Sequence, residues 1–506
     1  MAARRNPSLA VRATVVLALA ASSLLGAFPR AGRAAFPATV VRRVRVDVAA
    51  LAPEGVRRPL ALGRNGVLRT TAAARTRAAR VCAPIWFTAV GFTWEQRGEG
   101  ETAAEVAVSD DGRSFARTRE LESEGGADPG SAEPMGPDHG TNLLWTDGGR
   151  CVRIALDLPS GAAVAGLRAV FVNSSGTAAG PGTGPPDAGP GAGLEPASAM
   201  TRRGRIITRE QWGADPRLLN CTPDVAPALK MGFVHHTAGT NSYSRGQVDD
   251  ILRGIYAFHT NGRGWCDIAY NFLVDKFGRV YEGRSGGITV PVVSAATQGF
   301  NTGSFSVSAI GNFSTKRPTT SMMRAIRRVI AWRLDVAHLP PTGHTIMTSG
   351  GGDNTRYSEG TDVKLPVISM HRVTGYTACP GNRLAALLDE IREKVDRMGL
   401  PKIYRPELSA TEIGTGVGDL RVAARASARL TWSVHVEDEK GATFAVLPDQ
   451  GGDRLGLTWT PSDTAPYPRE AGTYYVVVRG TDGDGRLARP ARLVFTVKLS
   501  RFEPLR

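Results

Sequence analysis

Histidine and cysteine side chains in this 506-residue sequence could together bind a metal ion. His371 and Cys379 stand eight residues apart, and the apolar pattern after Cys379 predicts a helix that begins near Asn382. Because the first turn of a helix carries unpaired N–H groups and a partial positive charge, a cysteine there is stabilised as a thiolate. Thiolate and imidazole are both zinc ligands. The spacing is not that of a zinc finger, so each residue alone could also be an ordinary buried side chain.

Another candidate ligand follows the apolar run Met231 to Val234, where His235 and His236 stand side by side. Neighbouring side chains on a strand point to opposite faces. Only one of these two histidines can therefore face a site shared with His371 and Cys379. The pattern alone leaves open which one does.

The residues around these ligands predict a mixed α/β fold in the segment 204–401. Three stretches have apolar residues at helical spacing, and three apolar runs between them indicate strands. The helical stretches are 248–256, 322–334 and 384–395, and the strand candidates are 231–234, 270–274 and 307–310. We expect a central mixed sheet with flanking helices.

β-rich patterns lie on both sides of this central segment. Residues 36–173 and 402–506 contain short β runs separated by Gly and Asp turns, which predict an N-terminal β-sandwich-like domain and a C-terminal Ig-like β domain. Residues 174–203 are rich in Gly and Pro and cannot bury a core, so they predict a linker.

The first 35 residues have the order of a secretory signal peptide. Two adjacent arginines precede the largely apolar stretch 11–28, and small residues follow near Ala34 and Ala35, where we expect cleavage. An uncleaved membrane anchor is the alternative, because the apolar stretch is almost long enough to span a bilayer. No later stretch is comparably long and apolar, so the sequence predicts a soluble, secreted protein.

Five motifs in the central segment occur in the order found in one known family. They are Ile207–Ala214, His235–Thr237, Trp265–Phe272, Val280–Arg284, and His371 with Thr377–Gly381. Together they resemble the peptidoglycan recognition proteins and the related type 2 N-acetylmuramoyl-L-alanine amidases. The resemblance covers about a third of the chain, and the three-part layout is similar to that of secreted actinobacterial amidases.

This resemblance implies a specific site. The zinc ligands would be His235, His371 and Cys379, Tyr270 would lie beside the metal-bound water, and Thr377 would lie near the developing oxyanion. Two imidazoles and one thiolate leave a fourth position open, as catalytic zinc requires. The implied reaction is hydrolysis of the amide between N-acetylmuramic acid and L-alanine in peptidoglycan. Zn²⁺ is thus the expected cofactor, and peptidoglycan and muropeptides are the expected partners.

Two departures from the family pattern keep a second function open. Ala296 stands where many bacterial relatives have histidine, and Val373 stands where aspartate commonly follows the His-Arg pair. The alternative is a non-catalytic peptidoglycan-binding or signalling protein on the same fold. Relatives that lack the metal cysteine or the tyrosine tend to be receptors. This chain keeps both residues, which favours catalysis.

The charge distribution fits a cell-wall partner better than nucleic acid. The sequence has 62 Lys and Arg against 47 Asp and Glu, a net charge of +15. Such a charge suggests nucleic-acid binding, but the predicted export and the lack of a basic stripe interleaved with stacking aromatics argue against it. The segment 204–401 alone carries +7, so anionic cell-wall polymers are a further expected partner.

Four of the five cysteines are expected to form disulfides, as is usual in an oxidising compartment. Cys82 and Cys151 share the first β segment, and Cys221 and Cys266 share the central segment. We expect pairing within each segment, although four cysteines allow three connectivities and sequence cannot choose among them. Cys379 is left over, consistent with a metal ligand.

Overall fold

The computed structural model describes residues 38–52, 59–63, 65–98, 100–123, 126–131, 133, 139–176, 201, 203–414, 419–460, 468 and 470–498. The predicted signal peptide and most of the predicted linker lie outside these residues. The described residues belong to one compact unit, and the predicted domain limits stay predictions. Below, residues 38–176 are the N-terminal β region, 203–401 the central region and 402–498 the C-terminal β region.

Ten strands of the N-terminal β region form one hydrogen-bonded sheet. They are β1 (Val40–Arg45), β2 (Leu60–Leu62), β3 (Leu68–Thr70), β4 (Ala74–Arg75), β5 (Ala79–Arg97), β6 (Ala103–Ser109), β7 (Arg119–Leu121), β8 (His139–Gly140), β9 (Leu144–Leu158) and β10 (Ala163–Asn173). β5 pairs with both β9 and β10 in antiparallel register, and Cys82 faces Cys151 across the β5–β9 pair. These two cysteines form the expected disulfide.

The central region contains a second sheet of six strands. Its strands, with the separate hairpin β16–β17, are β11 (Ile206–Ile207), β12 (Met231–His236), β13 (Phe272–Val274), β14 (Val280–Glu282), β15 (Ser304–Ala309), β16 (His344–Thr348), β17 (Asp362–Pro366) and β18 (Ile368–Met370). The order is β11-β14-β13-β15-β12-β18, and only β13 and β14 pair antiparallel. Every residue of β12 and β15 is buried, as expected for parallel strands covered on both faces.

Helices cover this sheet as the α/β prediction requires. They are α1 (Val248–Ala257), α2 (Thr320–Val336), α3 (His371–Thr374), α4 (Asn382–Ala385) and α5 (Leu388–Asp396). The predicted helix 384–395 is interrupted between α4 and α5, although its apolar residues still share one buried core. The Thr319 side chain accepts a hydrogen bond from the Met322 N–H and caps the start of α2.

The C-terminal β region forms a third sheet. Its strands are β19 (Ile403–Leu408), β20 (Glu412–Gly414), β21 (Leu420–Glu437), β22 (Thr443–Trp459), β23 (Gly472–Asp482) and β24 (Ala491–Lys498). Trp432 and Trp459 are buried in its core. The flanking regions are therefore β-rich as predicted, while their description as sandwiches stays a prediction. In the described part of the chain, no helix combines the length and apolarity needed to cross a bilayer.

Three carboxylates of the N-terminal β region make buried or partly buried contacts with the central region. The pairs are Glu122 with His236, Asp128 with Asn301, and Glu133 with Arg284. The Arg284 side chain has no exposed surface and that of Glu133 is 8% exposed. Removing one partner of such a buried ion pair leaves an uncompensated charge, which costs more than the pair itself contributes.

The Glu133→Gln substitution tests this contact. It keeps the shape of the side chain but leaves the buried Arg284 without its carboxylate, and we expect the free energy of unfolding to fall by about 2–4 kcal/mol. The matched control is Glu412→Gln, which removes an exposed ion pair with Lys498 and should cost less than about 1 kcal/mol. Denaturant unfolding measures both; equal losses would contradict the expectation.

Candidate metal centre

β12 separates the two adjacent histidines onto opposite faces of the sheet. The Nδ1 atom of His235 lies 3.6 Å from the Sγ atom of Cys379. His236 contributes its main-chain N–H, which donates to the same sulfur at 3.4 Å. The His236 ring instead contacts the Glu122 carboxylate, with 2.8 Å between Nε2 and Oε2. The structure therefore places His235, and not His236, among the three candidate ligands.

His371 reaches the same place because of strand pairing. β12 and β18 are parallel neighbours, with Val234 opposite Met370, so the residues that follow lie at the same edge of the sheet. His371 comes directly after β18 and begins α3. The ring centroids of His235 and His371 are 5.0 Å apart.

The loop between α3 and α4 positions Cys379. The Arg372 N–H donates to the Cys379 carbonyl at 3.0 Å, and the Thr377 hydroxyl accepts from the Cys379 N–H at 3.1 Å. Gly381 has a φ of 83°, in the left-handed region that favours glycine. These contacts hold Cys379 in place. It stands three residues before the start of α4, as the sequence predicted.

Together the three side chains form a buried cluster of metal-ligand type. One ligand atom from each of His235, His371 and Cys379 lies within 4.8 Å of the others. Their residues are 1%, 3% and 6% exposed. Burial, reinforced by the neighbouring His371 and His236, holds the pKa of His235 well below its usual value. The neutral imidazole that results is the form that binds a metal.

A small cavity opens beside this cluster. Its volume is about 20 Å³, which is room for roughly one water molecule. Tyr270 and Ala296 line it from the central region, and Glu122, Ser123 and Asn142 line it from the N-terminal β region. Tyr270, which precedes β13 rather than lying within it, has its ring centroid 5.6 Å from that of His235.

Several residues at this site carry no signal in the sequence. The Thr297 hydroxyl lies 3.2 Å from Nε2 of His235, while the other ring nitrogen, Nδ1, is the one near the Cys379 sulfur. Such outer partners fix the orientation of a ligand imidazole.

Glu122 is a second such residue, and it is held by His236, Asn312 and Ser314. Burial alone raises the pKa of Glu122, but the hydrogen bond and charge of His236, the Ser314 hydrogen bond and the charge of Arg372 bring that pKa below its ordinary value.

Two sequence-predicted positions lie at the margin of the site. Thr377 does not line the small cavity; its hydroxyl is engaged with the Cys379 amide. Val373 packs against an apolar cluster that contains Phe233 and Met347.

Cys221 and Cys266 form the second expected disulfide. Cys379 belongs to neither of the two disulfides.

The Gly381→Ala substitution tests how the Cys379 loop is held. A methyl group on Gly381 would lie 2.4 Å from the Phe313 carbonyl carbon, whereas one on Gly441, which has the same φ of 83°, meets nothing within 4 Å. Both substitutions strain the backbone, but only Gly381→Ala also displaces neighbouring main chain. We expect it to lower the thermal unfolding midpoint further than Gly441→Ala and to weaken metal binding. Equal effects of the two variants would contradict this.

Comparison with known proteins places the chain in a family. The N-acetylmuramoyl-L-alanine amidase family model matches residues 226–382. Peptidoglycan-recognition protein SC2 of Drosophila melanogaster is 28% identical over 179 residues, which are 35% of this chain and 82% of that protein. Peptidoglycan recognition protein 1 of Bos taurus is 31% identical over 138 residues, 27% of this chain and 70% of that protein. The solved structure of Drosophila PGRP-LB is 25% identical, with a TM-score of 0.29, and the match covers 36% of this chain and 91% of that one. The match to peptidoglycan recognition protein 1, together with the family model, shows that the chain belongs to the family of peptidoglycan recognition proteins and type 2 N-acetylmuramoyl-L-alanine amidases.

Proposed function

We propose that this protein is a secreted, zinc-dependent N-acetylmuramoyl-L-alanine amidase that cleaves the amide between N-acetylmuramic acid and L-alanine in peptidoglycan. The observation that carries the proposal is the convergence of His235, His371 and Cys379, whose ligand atoms lie within 4.8 Å of one another. Two disulfides support export, because such bonds persist in oxidising compartments.

The donor set fits zinc. Two imidazole nitrogens and a thiolate are its common ligands, and three protein ligands leave one position for water or substrate. When bound there, zinc supplies a water of lowered pKa and polarisation of the scissile carbonyl. The burial that keeps His235 neutral and the His236 N–H that donates to the Cys379 sulfur both favour the ligand forms of these groups.

The remaining residues would orient the substrate and stabilise charge. Tyr270 lines the small cavity together with His371 and Cys379, so its hydroxyl is the proposed hydrogen-bond partner of the attacking water. The Thr377 hydroxyl accepts from the Cys379 N–H, which leaves its own proton available to donate. We propose that it donates to the oxyanion of the tetrahedral intermediate.

The second candidate is a peptidoglycan-binding protein without catalysis. The observation that favours it is the size of the cavity beside the ligands, about 20 Å³, with Ala296 and three residues of the N-terminal β region in its wall. A muropeptide cannot enter so small a space without rearrangement. Binding of muropeptides without release of stem peptide would support this candidate and contradict the amidase.

The His371→Ala substitution tests the amidase directly. Loss of an outer hydrogen-bond partner of a metal ligand alone costs about 10–100-fold in metal affinity or activity, so loss of a ligand itself should lower release of free stem peptide from muropeptides by more than about a hundredfold. His344→Ala, an exposed histidine on β16, should leave release unchanged. Chelation of the wild type should abolish release and added zinc should restore it. No release by the zinc-loaded wild type would refute the proposal.

Thr297→Val tests the outer partner of His235. Valine keeps the shape of threonine but removes the hydroxyl that lies 3.2 Å from Nε2 of His235. Zinc affinity should fall by about 10–100-fold, measured by competition with a chromogenic chelator. The control is Thr443→Val at an exposed position of β22. Unchanged affinity in Thr297→Val would show that the hydroxyl does not orient the ligand.

A further inference from the structure

One segment of the N-terminal β region walls the small cavity beside the candidate metal ligands. It follows β7, and its described residues are 122–123, 126–131 and 133, here called the strap. Glu122 and Ser123 of the strap line the cavity together with His371 and Cys379. The cavity holds about 20 Å³, which is room for roughly one water molecule. A substrate amide with its flanking groups is larger, so it cannot reach the ligands while these walls keep their positions.

Two carboxylates hold the first part of the strap on the central region. The Oε2 atom of Glu122 lies 2.8 Å from Nε2 of His236. Asp128 accepts hydrogen bonds from the Gly299 N–H and the Asn301 side chain, both at 2.7 Å. The Asn301 side chain also donates to a main-chain carbonyl of the strap at 3.0 Å. In the contacts with Gly299 and Asn301 the strap therefore accepts and the central region donates.

A third carboxylate fastens the far end of the strap. Glu133 accepts a hydrogen bond from the Cys266 N–H at 3.0 Å and forms a buried ion pair with Arg284. The Arg284 N–H donates to the carbonyl of Tyr270 at 2.9 Å, and Tyr270 lines the small cavity. One end of the strap is therefore held at β12, the strand that carries His235, and the other end at a residue bonded to Tyr270.

The groups beneath the strap determine which ligand could replace it. They include the Gly299 and Cys266 N–H groups, the Asn301 amide and the Arg284 guanidinium. All of these donate to the strap, and a guanidinium forms its strongest hydrogen bonds with carboxylates. A peptide that carries carboxylates offers the acceptors that these donors require. Such a peptide is the class of ligand that can compete with the strap.

The rest of the N-terminal β region stays attached whether or not the strap is docked. Trp145 and Val172 share one apolar core with Leu252 and Ile255 of α1, and burial of such side chains stabilises the contact independently of the strap. Parts of a folded protein open locally at a lower free-energy cost than global unfolding. Opening of the strap is therefore a local change on a fixed scaffold.

We infer that the strap is an autoinhibitory element, which closes the candidate metal centre to substrate in the resting chain. The inference rests on the proposed function for the identity of the substrate. Without a competing ligand the strap stays docked, because its departure would leave buried donors without partners. Closure lowers the fraction of the chain that can bind a muropeptide, and the apparent affinity falls by that fraction.

The reaction of Cys379 with a thiol reagent measures opening of the strap in the full chain. The other four cysteines are in disulfides, and Cys379 is only 6% exposed, so the folded wild type should react slowly in the presence of a chelator. Asp128→Ala removes two hydrogen bonds to the strap and should speed the reaction by about tenfold, as expected for loss of hydrogen bonds to a charged group. Gln298→Ala removes a donor to the Ala127 carbonyl and should have a smaller effect in the same direction.

The matched control is Asp111→Ala. Asp111 accepts hydrogen bonds from the Arg113 and Ser114 N–H groups within the N-terminal β region, so its loss should leave the rate of the Cys379 reaction unchanged. Thermal unfolding midpoints above the assay temperature show that the variants are folded. If Asp128→Ala does not fold, Gln298→Ala carries the test.

Muropeptide binding, measured by titration calorimetry with the chelator present, shows whether the strap blocks the site or forms part of it. Affinity should rise by about tenfold in Asp128→Ala, since more of the chain is open, and should stay at the wild-type value in Asp111→Ala. Equal thiol reactivity in the wild type and both strap variants would overturn the inference. So would a faster thiol reaction without tighter muropeptide binding.

These two measurements need neither metal nor turnover, so they separate the strap from the proposed function. A faster thiol reaction and tighter muropeptide binding, with no release of stem peptide by the zinc-loaded wild type or Asp128→Ala, would refute the amidase and leave the closing role of the strap standing.

Discussion

The parallel pairing of β12 with β18 is the constraint on which the candidate metal centre depends. Side chains on a strand alternate between faces, so the register of Val234 with Met370 decides that His235 and His371 leave the sheet together. A shift of one residue would turn His236 toward the cluster and His235 toward Glu122. The same strand fixes the third ligand, since the His236 main-chain N–H holds the Cys379 sulfur. The site is therefore a property of the sheet and not of a flexible loop.

The N-terminal β region is the second determinant of the site. Glu122 contacts His236 and lines the cavity beside the candidate metal ligands, and Asp128 and Glu133 contact Asn301 and Arg284 of the central region. Their carboxylates are desolvated, and burial raises the pKa values of Asp128 and Glu133. That cost is offset only while the partner groups remain in place, which favours a permanently docked arrangement.

The sequence predicted the parts of this structure that depend on local patterns. Apolar spacing located α1 and α2, and the motifs located His235, His371 and Cys379. The interruption between α4 and α5 was missed because residues four apart, such as Leu384 and Leu388, keep the helical spacing across it. Glu122 could not be predicted, since it contacts His236 across 114 residues and an acidic residue in a polar segment has no distinguishing pattern. Thr297 was missed for the same reason, because only the folded chain brings it to the ring of His235.

The location of the exposed basic residues limits which surface of the molecule can attract an anionic partner. The central region has the largest share of the net charge, yet its buried Arg284 is already neutralised by Glu133. Exposed basic residues such as Arg324 and Arg328 lie instead on α2, whose buried residues pack with Val234 on the face of β12 opposite to His235. Electrostatic attraction of an anionic polymer to α2 would therefore act on the side of the sheet away from the candidate metal ligands. Such an attraction would weaken as ionic strength rises, whereas the buried contacts that hold His235, His371 and Cys379 would be screened much less.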